Sequence, residues 1–345
     1  MGQEQVVSRY IDSLHDKHFK TFNSLDDLSI FDNCDDYDFI IFHHTDADGI
    51  CSAQIIYDSI KSINKDIRIK TVEYNYSANI NEFGDFFSKY LGCYNKSLNC
   101  IIVDLSIKAK TIKRIAEAEN VRNVLVIDHH ITSVREMQND SEALRGLLWN
   151  VHLYYDISQA ATGLCYKLFK KYIPKINAKI VGIIERYDRW SPIDETDRML
   201  GYYINSFLNF SNQLAVNSEV MRNLLYDKFY SDKALMHGSK IYYNERAVNE
   251  FRYTIFHKET TFEFDGRKYN ICYLFARGNS LTFGKHIKDF DFVALIHKGK
   301  KPGDLVLGLY TDKDSVDVSK IAEHYGGGGH TQAAGCTVNY NIFEK

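Results

Sequence analysis

Groups that bind metal ions follow directly after three short apolar runs of the chain. The run 39–42 leads into His44-Thr45-Asp46-Ala47-Asp48-Gly49, the run 100–103 into Asp104, and the run 124–127 into Asp128-His129-His130. Carboxylate and imidazole groups are ligands for divalent cations such as Mg²⁺ and Mn²⁺. Two such ions about 3.5–4 Å apart can bind a phosphoryl group, activate water and stabilise the leaving oxygen. Phosphoester hydrolysis is therefore the chemistry that these residue types could perform.

The elements that would position these groups alternate between strand and helix. Strand-like runs lie at 39–42, 67–72, 100–103 and 124–127, and helix-like patterns lie at 50–63 and 108–119. This alternation predicts a parallel sheet covered by helices on both faces. The carboxyl ends of parallel strands share one edge, where α/β proteins bind their ligands. We therefore expect the groups that follow the three runs to meet in one crevice.

Carboxylates gathered in one crevice need a counter-charge. Asp46, Asp48, Asp104 and Asp188 would repel one another strongly if they were ionised with no cation between them. Bound metal ions remove that repulsion, and Asp104, alone after the central run, is placed to bridge two of them. Each of the first three aspartates could instead be a helix N-cap, and Asp188 could belong to a solvated charged stretch. Three aspartates at one sheet edge favour the metal interpretation.

The later part of the chain predicts a second, smaller α/β unit. Helices are predicted at 158–172 and 176–187, a mainly helical stretch at 208–253, strands at 262–269, 271–275, 292–296 and 305–310, and a short helix at 318–324. The run Gly326 to Gly329 precedes His330. Consecutive glycines let backbone N–H groups approach a phosphate closely, although a glycine run can also be a flexible linker.

Length and composition indicate a folded protein of two domains. The chain has 345 residues, 45% of them hydrophobic and 25% charged, which excludes a disordered or fibrous protein. We predict an N-terminal helical extension over 1–37, a metal-binding catalytic domain over 38–205, a helical connector over 206–255 and a substrate-binding domain over 256–345. The active site is expected in the cleft between the two domains.

The charge and the cysteine content narrow the function classes further. A formal net charge of −3 gives no global positive field for binding long nucleic acids, so a short nucleotide ligand is favoured. Seven cysteines without a C-x-x-C pair predict reduced, mostly buried thiols. No uninterrupted apolar run reaches the roughly 20 residues of a membrane span. These features predict a cytoplasmic protein without a membrane partner, and a homodimer is kept as an option for its assembly.

Five motifs in order resemble those of one known family. The segments 44–49, Val103-Asp104, Asp128-His129-His130 and Tyr187-Asp188-Arg189-Trp190 resemble the four successive motifs of the DHH phosphoesterases. Gly326-Gly327-Gly328-Gly329-His330, followed by Ala333-Ala334-Gly335, resembles the signature of their DHHA1 substrate domain. The resemblance covers roughly residues 38–340 and implies a parallel-sheet DHH domain joined to a smaller α/β DHHA1 domain.

The resemblance also implies roles for individual residues. Two divalent ions are implied, and imidazole among the ligands favours Mn²⁺ or another transition metal such as Co²⁺ over Mg²⁺, with Mn²⁺ as the expected ion. Asp46 and Asp104, with His44 as a further ligand, would hold one ion, and Asp48, Asp104, His129 and Asp188 the other. The catalytic set is Asp104, His129, His130 and Asp128, where Asp128 would orient a histidine. The substrate-binding set is His130, Gly327, Gly328, Gly329, His330, Tyr310 and Arg277.

Two positions depart from the family pattern. Many relatives have a histidine four residues before the first motif aspartate, and Phe42 stands there in this chain, so His44 is expected to replace it as ligand. Relatives often carry a Ser-x-Arg-Ser step where this chain reads Gly308-Leu309-Tyr310-Thr311, which removes a bidentate phosphate clamp. Tyr310 could stack on a base or bind a phosphate. The cationic and polar replacements considered are Arg277, Asn279, Lys298, Lys300 and Lys301.

The leading hypothesis is a phosphodiesterase similar to the oligoribonuclease (nanoRNase) branch of the DHH–DHHA1 proteins. It would hydrolyse short oligonucleotides or cyclic mono- or dinucleotides to mononucleotides with a metal-activated water. A RecJ-like single-strand exonuclease, a pyrophosphatase or polyphosphatase, and a non-catalytic nucleotide sensor are the alternatives. The complete set of metal ligands argues against a non-catalytic sensor. The acidic net charge argues against an exonuclease that binds long strands.

Overall fold

The structure, a computed structural model, describes residues 38–74, 87, 97–139, 150–211, 215–299 and 302–339. The predicted helical extension over 1–37, and Lys300 and Lys301, lie outside these residues. Among the described residues the chain divides into two compact units, the first ending at Ser239 and the second beginning at Lys240.

The first unit is built on a five-stranded sheet. Its elements are β1 (Asp38–His44), α1 (Ala47–Ile63), β2 (Ile69–Tyr74), β3 (Leu98–Val103), α2 (Ala109–Ala116), β4 (Val121–Asp128), α3 (Ile131–Asn139) and β5 (Val151–Tyr155). The strand order is β2-β1-β3-β4-β5, and all four neighbouring pairs are parallel. The predicted parallel α/β domain is therefore confirmed.

Helices complete the first unit and cover its sheet. They are α4 (Ala161–Phe169), α5 (Ala178–Asp188), α6 (Glu195–Ser211), α7 (Glu219–Tyr226) and α8 (Lys228–Phe256), the last of which continues into the second unit. Successive side chains of a strand point to opposite faces, and every residue of β3 is buried, so both faces of the sheet are covered. One face packs on α1, α4 and α5 in a single apolar core.

The second unit contains a six-stranded mixed sheet. Its elements are β6 (Lys258–Phe264), β7 (Arg267–Phe275), β8 (Phe292–Lys298), β9 (Asp304–Tyr310), α9 (Val318–His324), β10 (Gly328–Gly329) and β11 (Ala333–Asn339). The strand order is β10-β11-β9-β8-β7-β6, and β7 and β8 form its parallel pair. Alternate residues of β7 and β8 belong to two separate apolar cores, so this sheet is also covered on both faces.

One predicted strand of the second unit was wrong. The stretch 262–269 is not a single strand, because Asp265 and Gly266 turn the chain between β6 and β7. Both residues have positive φ, at 53° and 71°, which is the backbone that a two-residue hairpin needs. An Asp-Gly pair between strand-like stretches is a hairpin signal, and the apolar residues on either side obscured it.

No helix in the described ranges is both long and apolar enough to cross a lipid bilayer. Five cysteines of the described part of the chain are buried free thiols, as the sequence predicted for this residue type.

Candidate functional site

The three predicted ligand segments meet at one edge of the first sheet. Strands β1, β3 and β4 are adjacent and parallel, and they end at His44, Val103 and Asp128. Ligand atoms within 4.8 Å of one another form three groups in the first unit: His44, Asp46 and Asp104; Asp48, His129 and Asp188; and Asp104, Asp128, His129 and His130. All the residues predicted as metal ligands are therefore brought together, although their roles as ligands remain a proposal.

The imidazole of His129 lies among three carboxylates. Its Nε2 atom is 3.2 Å from Asp104 Oδ1, 3.5 Å from Asp48 Oδ2 and 3.4 Å from Asp188 Oδ2. The side chains of His129, Asp48 and Asp104 are almost completely buried. Asp188 is brought there by the last turn of α5, 60 residues after Asp128 in the sequence numbering.

Asp104 joins this group to a second one around His44. His44 Nδ1 is 2.7 Å from Asp46 Oδ2 and 3.9 Å from Asp104 Oδ2. Asp46 is the N-cap of α1, since its Oδ1 accepts a hydrogen bond from Gly49 N. The helix-cap interpretation of this aspartate and its place in the cluster are thus both true. Phe42, at the position where relatives have a histidine, is buried and its ring lies 3.8 Å from that of Phe87.

The electrostatics of the cluster favour bound cations. Burial and the charges of Asp46, Asp48, Asp188 and Asp128 raise the pKa of Asp104 far above its usual value. Burial and the charge of Asp46 raise the pKa of Asp48 to about 7. Burial raises the pKa of Asp188 as well. Each shift reports that the ionised carboxylate is unfavourable here unless positive charge is supplied.

Two further features of Asp104 fit a metal ligand. Its buried Oδ2 atom accepts no hydrogen bond from the described part of the chain, which is costly for a carboxylate unless a cation takes that place. Its φ of 56° is a left-handed conformation that is uncommon for residues other than glycine and is concentrated at functional sites. The donor set of carboxylates with imidazole therefore fits divalent ions such as Mn²⁺.

Asp128 orients His130. Asp128 Oδ1 lies 2.6 Å from His130 Nδ1, and Ser133 Oγ donates to Asp128 Oδ2 over 2.6 Å. Burial opposes ionisation of Asp128, but the charge and hydrogen bond of His130 outweigh it and lower its pKa to about 2. Burial likewise opposes protonation of His130, and the Asp128 carboxylate nevertheless raises its pKa. The sequence left open which histidine Asp128 would orient, and the structure shows that it is His130.

The predicted substrate residues lie in the second unit, apart from His130. Gly328 and Gly329 form β10 and pair with Gly335 and Ala334 of β11. A Cβ atom at Gly327 would lie 2.0 Å from Gly335 O, and one at Gly329 would lie 2.6 Å from Ala333 O. Close packing against β11 therefore accounts for two of these glycines without a phosphate. A role in substrate binding stays a prediction.

The other residues predicted to bind substrate differ in their surroundings. Tyr310 is the last residue of β9, where it packs against an apolar core, and burial raises its pKa to about 12. His330 follows β10 and donates its backbone N–H to Ala333 O. Arg277 is exposed in the segment after β7, Lys298 is exposed at the end of β8, and Asn279 caps a short 3₁₀ helix through Leu281 N.

The sequence analysis placed Trp190 in a motif but gave it no role of its own, and in the structure it follows helix α5 in an unusual conformation. Trp190 N donates to Tyr187 O, and Ser191 N donates to Arg186 O, which is the Schellman arrangement at a helix end. Glycine normally occupies this left-handed position, yet Trp190 has a φ of 54° and remains 36% exposed. Arg186 fixes the following loop through two hydrogen bonds of 2.7 Å to Asp197. The signal available in the sequence was an aromatic residue within a charged stretch, two positions after Asp188.

The fold and the set of donor groups define the class of protein. It is an α/β protein in which aspartates and histidines form a metal-type site at the carboxyl edge of a parallel sheet. Residues 38–185 match the DHH family, N-terminal domain. The chain thus carries a domain of the DHH family over residues 38–185.

Two curated relatives are similar over most of the chain. Oligoribonuclease NrnB of Bacillus subtilis (strain 168) is 25% identical over 319 residues, which cover 88% of this chain and 74% of the relative. An uncharacterized protein of Acanthamoeba polyphaga mimivirus is 24% identical over 323 residues, covering 89% of this chain and 68% of the relative.

Solved structures support the fold. A DHH domain described as belonging to a member of a family of ribosomal proteins has a TM-score of 0.58 at 15% identity, covering 99% of this chain and 96% of that one. RecJ of Thermus thermophilus in complex with Mn²⁺ has a TM-score of 0.50 at 10% identity, covering 100% of this chain and 57% of that one.

Proposed function

We propose that this protein is a divalent-metal-dependent phosphodiesterase that hydrolyses short oligonucleotides or cyclic mono- or dinucleotides to mononucleotides. The observation that carries this proposal is the cluster of Asp46, Asp48, Asp104, Asp188, His44 and His129 at one sheet edge. Asp48 and Asp104 are buried, and four carboxylates this close together repel one another unless cations lie between them.

Two sets of ligands are proposed, and the distances within the cluster support them. One ion would be held by His44, Asp46 and Asp104, and the other by Asp48, Asp104, His129 and Asp188. Bound divalent ions in such a pair supply Lewis acidity at the phosphate and lower the pKa of water. Asp104 is the residue common to both sets, and Mn²⁺ is the ion that we favour for a mixed carboxylate and imidazole site.

The chain itself supplies a positioned imidazole beside these ligands. Asp128 holds His130 Nδ1, so the other ring nitrogen, Nε2, is the atom that we assign to the substrate phosphate and to the leaving oxygen. The ionised Asp128 favours a protonated His130, which can bind a phosphate oxygen or give a proton to the departing 3′ oxygen.

A nucleotide substrate is favoured over polyphosphate by similarity to an oligoribonuclease along most of the chain. In the second unit, the proposed phosphate and base contacts are Gly327, Gly328, Gly329, His330, Tyr310 and Arg277, which is the DHHA1-like part of the chain. The domain limits at 38–205, 206–255 and 256–345, a cytoplasmic location and a homodimer stay predictions.

A panel of substrates tests the proposed function. Protein loaded with Mn²⁺ is incubated with dinucleotides, ~5-mers, longer single strands, cyclic mono- and dinucleotides and inorganic polyphosphate, and the products are resolved by chromatography. We expect turnover of the shortest or cyclic nucleotides. Turnover of polyphosphate alone, or of no compound in the panel, would overturn the proposal.

Salt dependence separates this proposal from a RecJ-like exonuclease. An enzyme that neutralises six or more phosphates of a long single strand loses about 300-fold or more in affinity between 50 and 200 mM salt. We expect KM for a dinucleotide to change by less than about tenfold over that range, because the ligand carries few phosphates. Preference for long strands together with the steep dependence would support the exonuclease instead.

Trp190 is the proposed platform for a nucleobase. Stacking on an aromatic ring contributes about 1–3 kcal/mol per base, so Trp190→Ala should raise KM for a dinucleotide by about 5- to 150-fold. The chain has two tryptophans, and Trp149→Phe leaves Trp190 as the single tryptophan, whose fluorescence can be excited selectively over that of tyrosine. Quenching by AMP but not by ribose 5-phosphate is the expected result. Equal responses to both ligands would show that no base reaches the indole.

A further inference from the structure

Helix α4 begins without a capping side chain of its own. Its N-cap residue is Ala160, which makes no side-chain hydrogen bond, although the first N–H groups of a helix lack partners within the helix. The carboxylate of Asp48, in the first turn of α1, fills this place. Asp48 Oδ2 accepts from Ala161 N over 2.9 Å, and Asp48 Oδ1 accepts from Thr162 N over 2.8 Å. The cap therefore comes from a residue 113 positions earlier in the chain.

Thr162 holds Asp48 through its side chain as well. Thr162 Oγ1 donates to the backbone oxygen of Asp48 over 3.0 Å, and Ser52 Oγ lies 3.3 Å from the same hydroxyl. Thr162 and Ser52 are completely buried and Asp48 is 2% exposed. One residue of α4 thus fixes both the main chain and the carboxylate of Asp48.

The fixed carboxylate is also part of the metal-type cluster. Asp48 Oδ2, which accepts from Ala161 N, lies 3.5 Å from His129 Nε2, in the group that contains Asp188. Hydrogen bonds to both oxygens restrict rotation of the carboxylate, and the positive end of α4 offsets part of its charge. Asp48 therefore reaches the cluster in one orientation before any ion arrives.

We propose that Thr162 is a positioning residue that holds Asp48 in the orientation needed to bind the metal ion of the Asp48, Asp104, His129 and Asp188 set. The first turn of α4 is then part of the metal site. This inference rests on the proposed function. It assigns a positioning role to Thr162, whereas the sequence predicts the stretch 158–162 as a helix start that packs near the site and has no catalytic role.

A purely structural role for Thr162 makes a different prediction. If the residue only packs α4 against α1, its loss lowers the melting temperature and leaves metal affinity unchanged. If it positions Asp48, loss of the hydroxyl weakens Mn²⁺ binding at one of two sites by about 10- to 100-fold, which is typical of groups that orient metal ligands.

The experiment is calorimetric titration of the full chain with Mn²⁺ alone, with melting curves of the same samples. Thr162→Val removes the hydroxyl and keeps the backbone N–H, Thr162→Ser restores the hydroxyl, and Ser52→Ala is the matched control that leaves every contact of Asp48 in place. We expect T162V to weaken one Mn²⁺ site by at least about tenfold, and T162S and S52A to stay within about threefold of wild type. If T162V does not fold, Thr162→Ala takes its place in the same titration.

The possible results separate this inference from the proposed function. Unchanged Mn²⁺ affinity in T162V or T162A, in a protein whose wild type binds two ions and hydrolyses dinucleotides, overturns the positioning role and leaves the function standing. Equal weakening in S52A and T162V also overturns it, because the effect would then come from general packing of α1 and α4. A wild-type protein that binds no Mn²⁺ overturns both.

Discussion

Replacement of Asp104 by asparagine should abolish hydrolysis and at the same time raise the melting temperature of the metal-free protein. Asp104 is 2% exposed and faces the charges of Asp46, Asp48 and Asp188. Asparagine removes one charge from this buried group, can donate its amide to the neighbouring carboxylates and tolerates the left-handed φ of 56°. We expect a gain of about 1–2 kcal/mol, or roughly 2–6 °C, in the metal-free state.

The same substitution should remove the response of the protein to metal. Wild-type protein should melt at a higher temperature in Mn²⁺, because ions that bind only the native state stabilise it. Asp104 is the ligand common to both proposed sets, so Asp104→Asn should lose most of this shift and more than about 10³-fold in turnover. Asp156→Asn is the control, since Asp156 follows strand β5 at the edge of the same sheet and caps its own turn at Ser158.

Differential scanning fluorimetry with and without Mn²⁺, beside a dinucleotide assay, gives both readouts. Retained turnover in Asp104→Asn would show that the bridge between the two ions is a different carboxylate. A lower melting temperature of the metal-free variant would show that Asp104 stabilises the fold, in which case the repulsion described above is not the dominant effect.

Local patterns predicted the sheet because each central strand is a continuous apolar run. Burial on both faces demands such runs, and the rule that parallel strands share one carboxyl edge then placed Asp104 beside His129. Strand β5 was not predicted because it is short, follows the polar residue Asn150 and contains His152, and both of these polar residues are buried in the structure. Here tertiary context overrides local composition.

The contacts that organise the site could not be predicted because they join distant segments. Asp48 caps a helix that begins 113 residues later, and no pattern at either position announces the partner. The choice of His130 over His129 as the partner of Asp128 depends on how the chain turns after β4. From the sequence, Asp46 and Asp48 could be either helix caps or metal ligands. In the structure the carboxylate of each aspartate caps a helix and also lies in the cluster.

The second large effect is expected at His130. His130→Ala should lower kcat for a dinucleotide by about 10²- to 10⁴-fold if its imidazole gives a proton to the leaving 3′ oxygen. Binding of two Mn²⁺ ions should persist, since neither proposed ligand set contains His130. Asp128→Asn tests the pair of Asp128 and His130 with a smaller expected loss of kcat. The amide oxygen can still accept from His130 Nδ1, but the charge that favours a protonated imidazole is gone.

A substrate with a less basic leaving group distinguishes the two possible roles of His130, which are proton donation and phosphate binding. A p-nitrophenyl ester of a nucleoside monophosphate releases a weakly basic anion that departs without a proton, so His130→Ala should recover most of its activity on that substrate if the residue is a general acid. If His130 only binds the phosphate, both substrates lose activity equally and the loss appears in KM. Wild-type activity of His130→Ala on the dinucleotide would contradict both roles. Asp128 holds the ring of His130 through a hydrogen bond of 2.6 Å, and Ser133 holds Asp128 through another of 2.6 Å. This fixed orientation favours the proton donor, because proton transfer demands a stricter orientation than phosphate binding does.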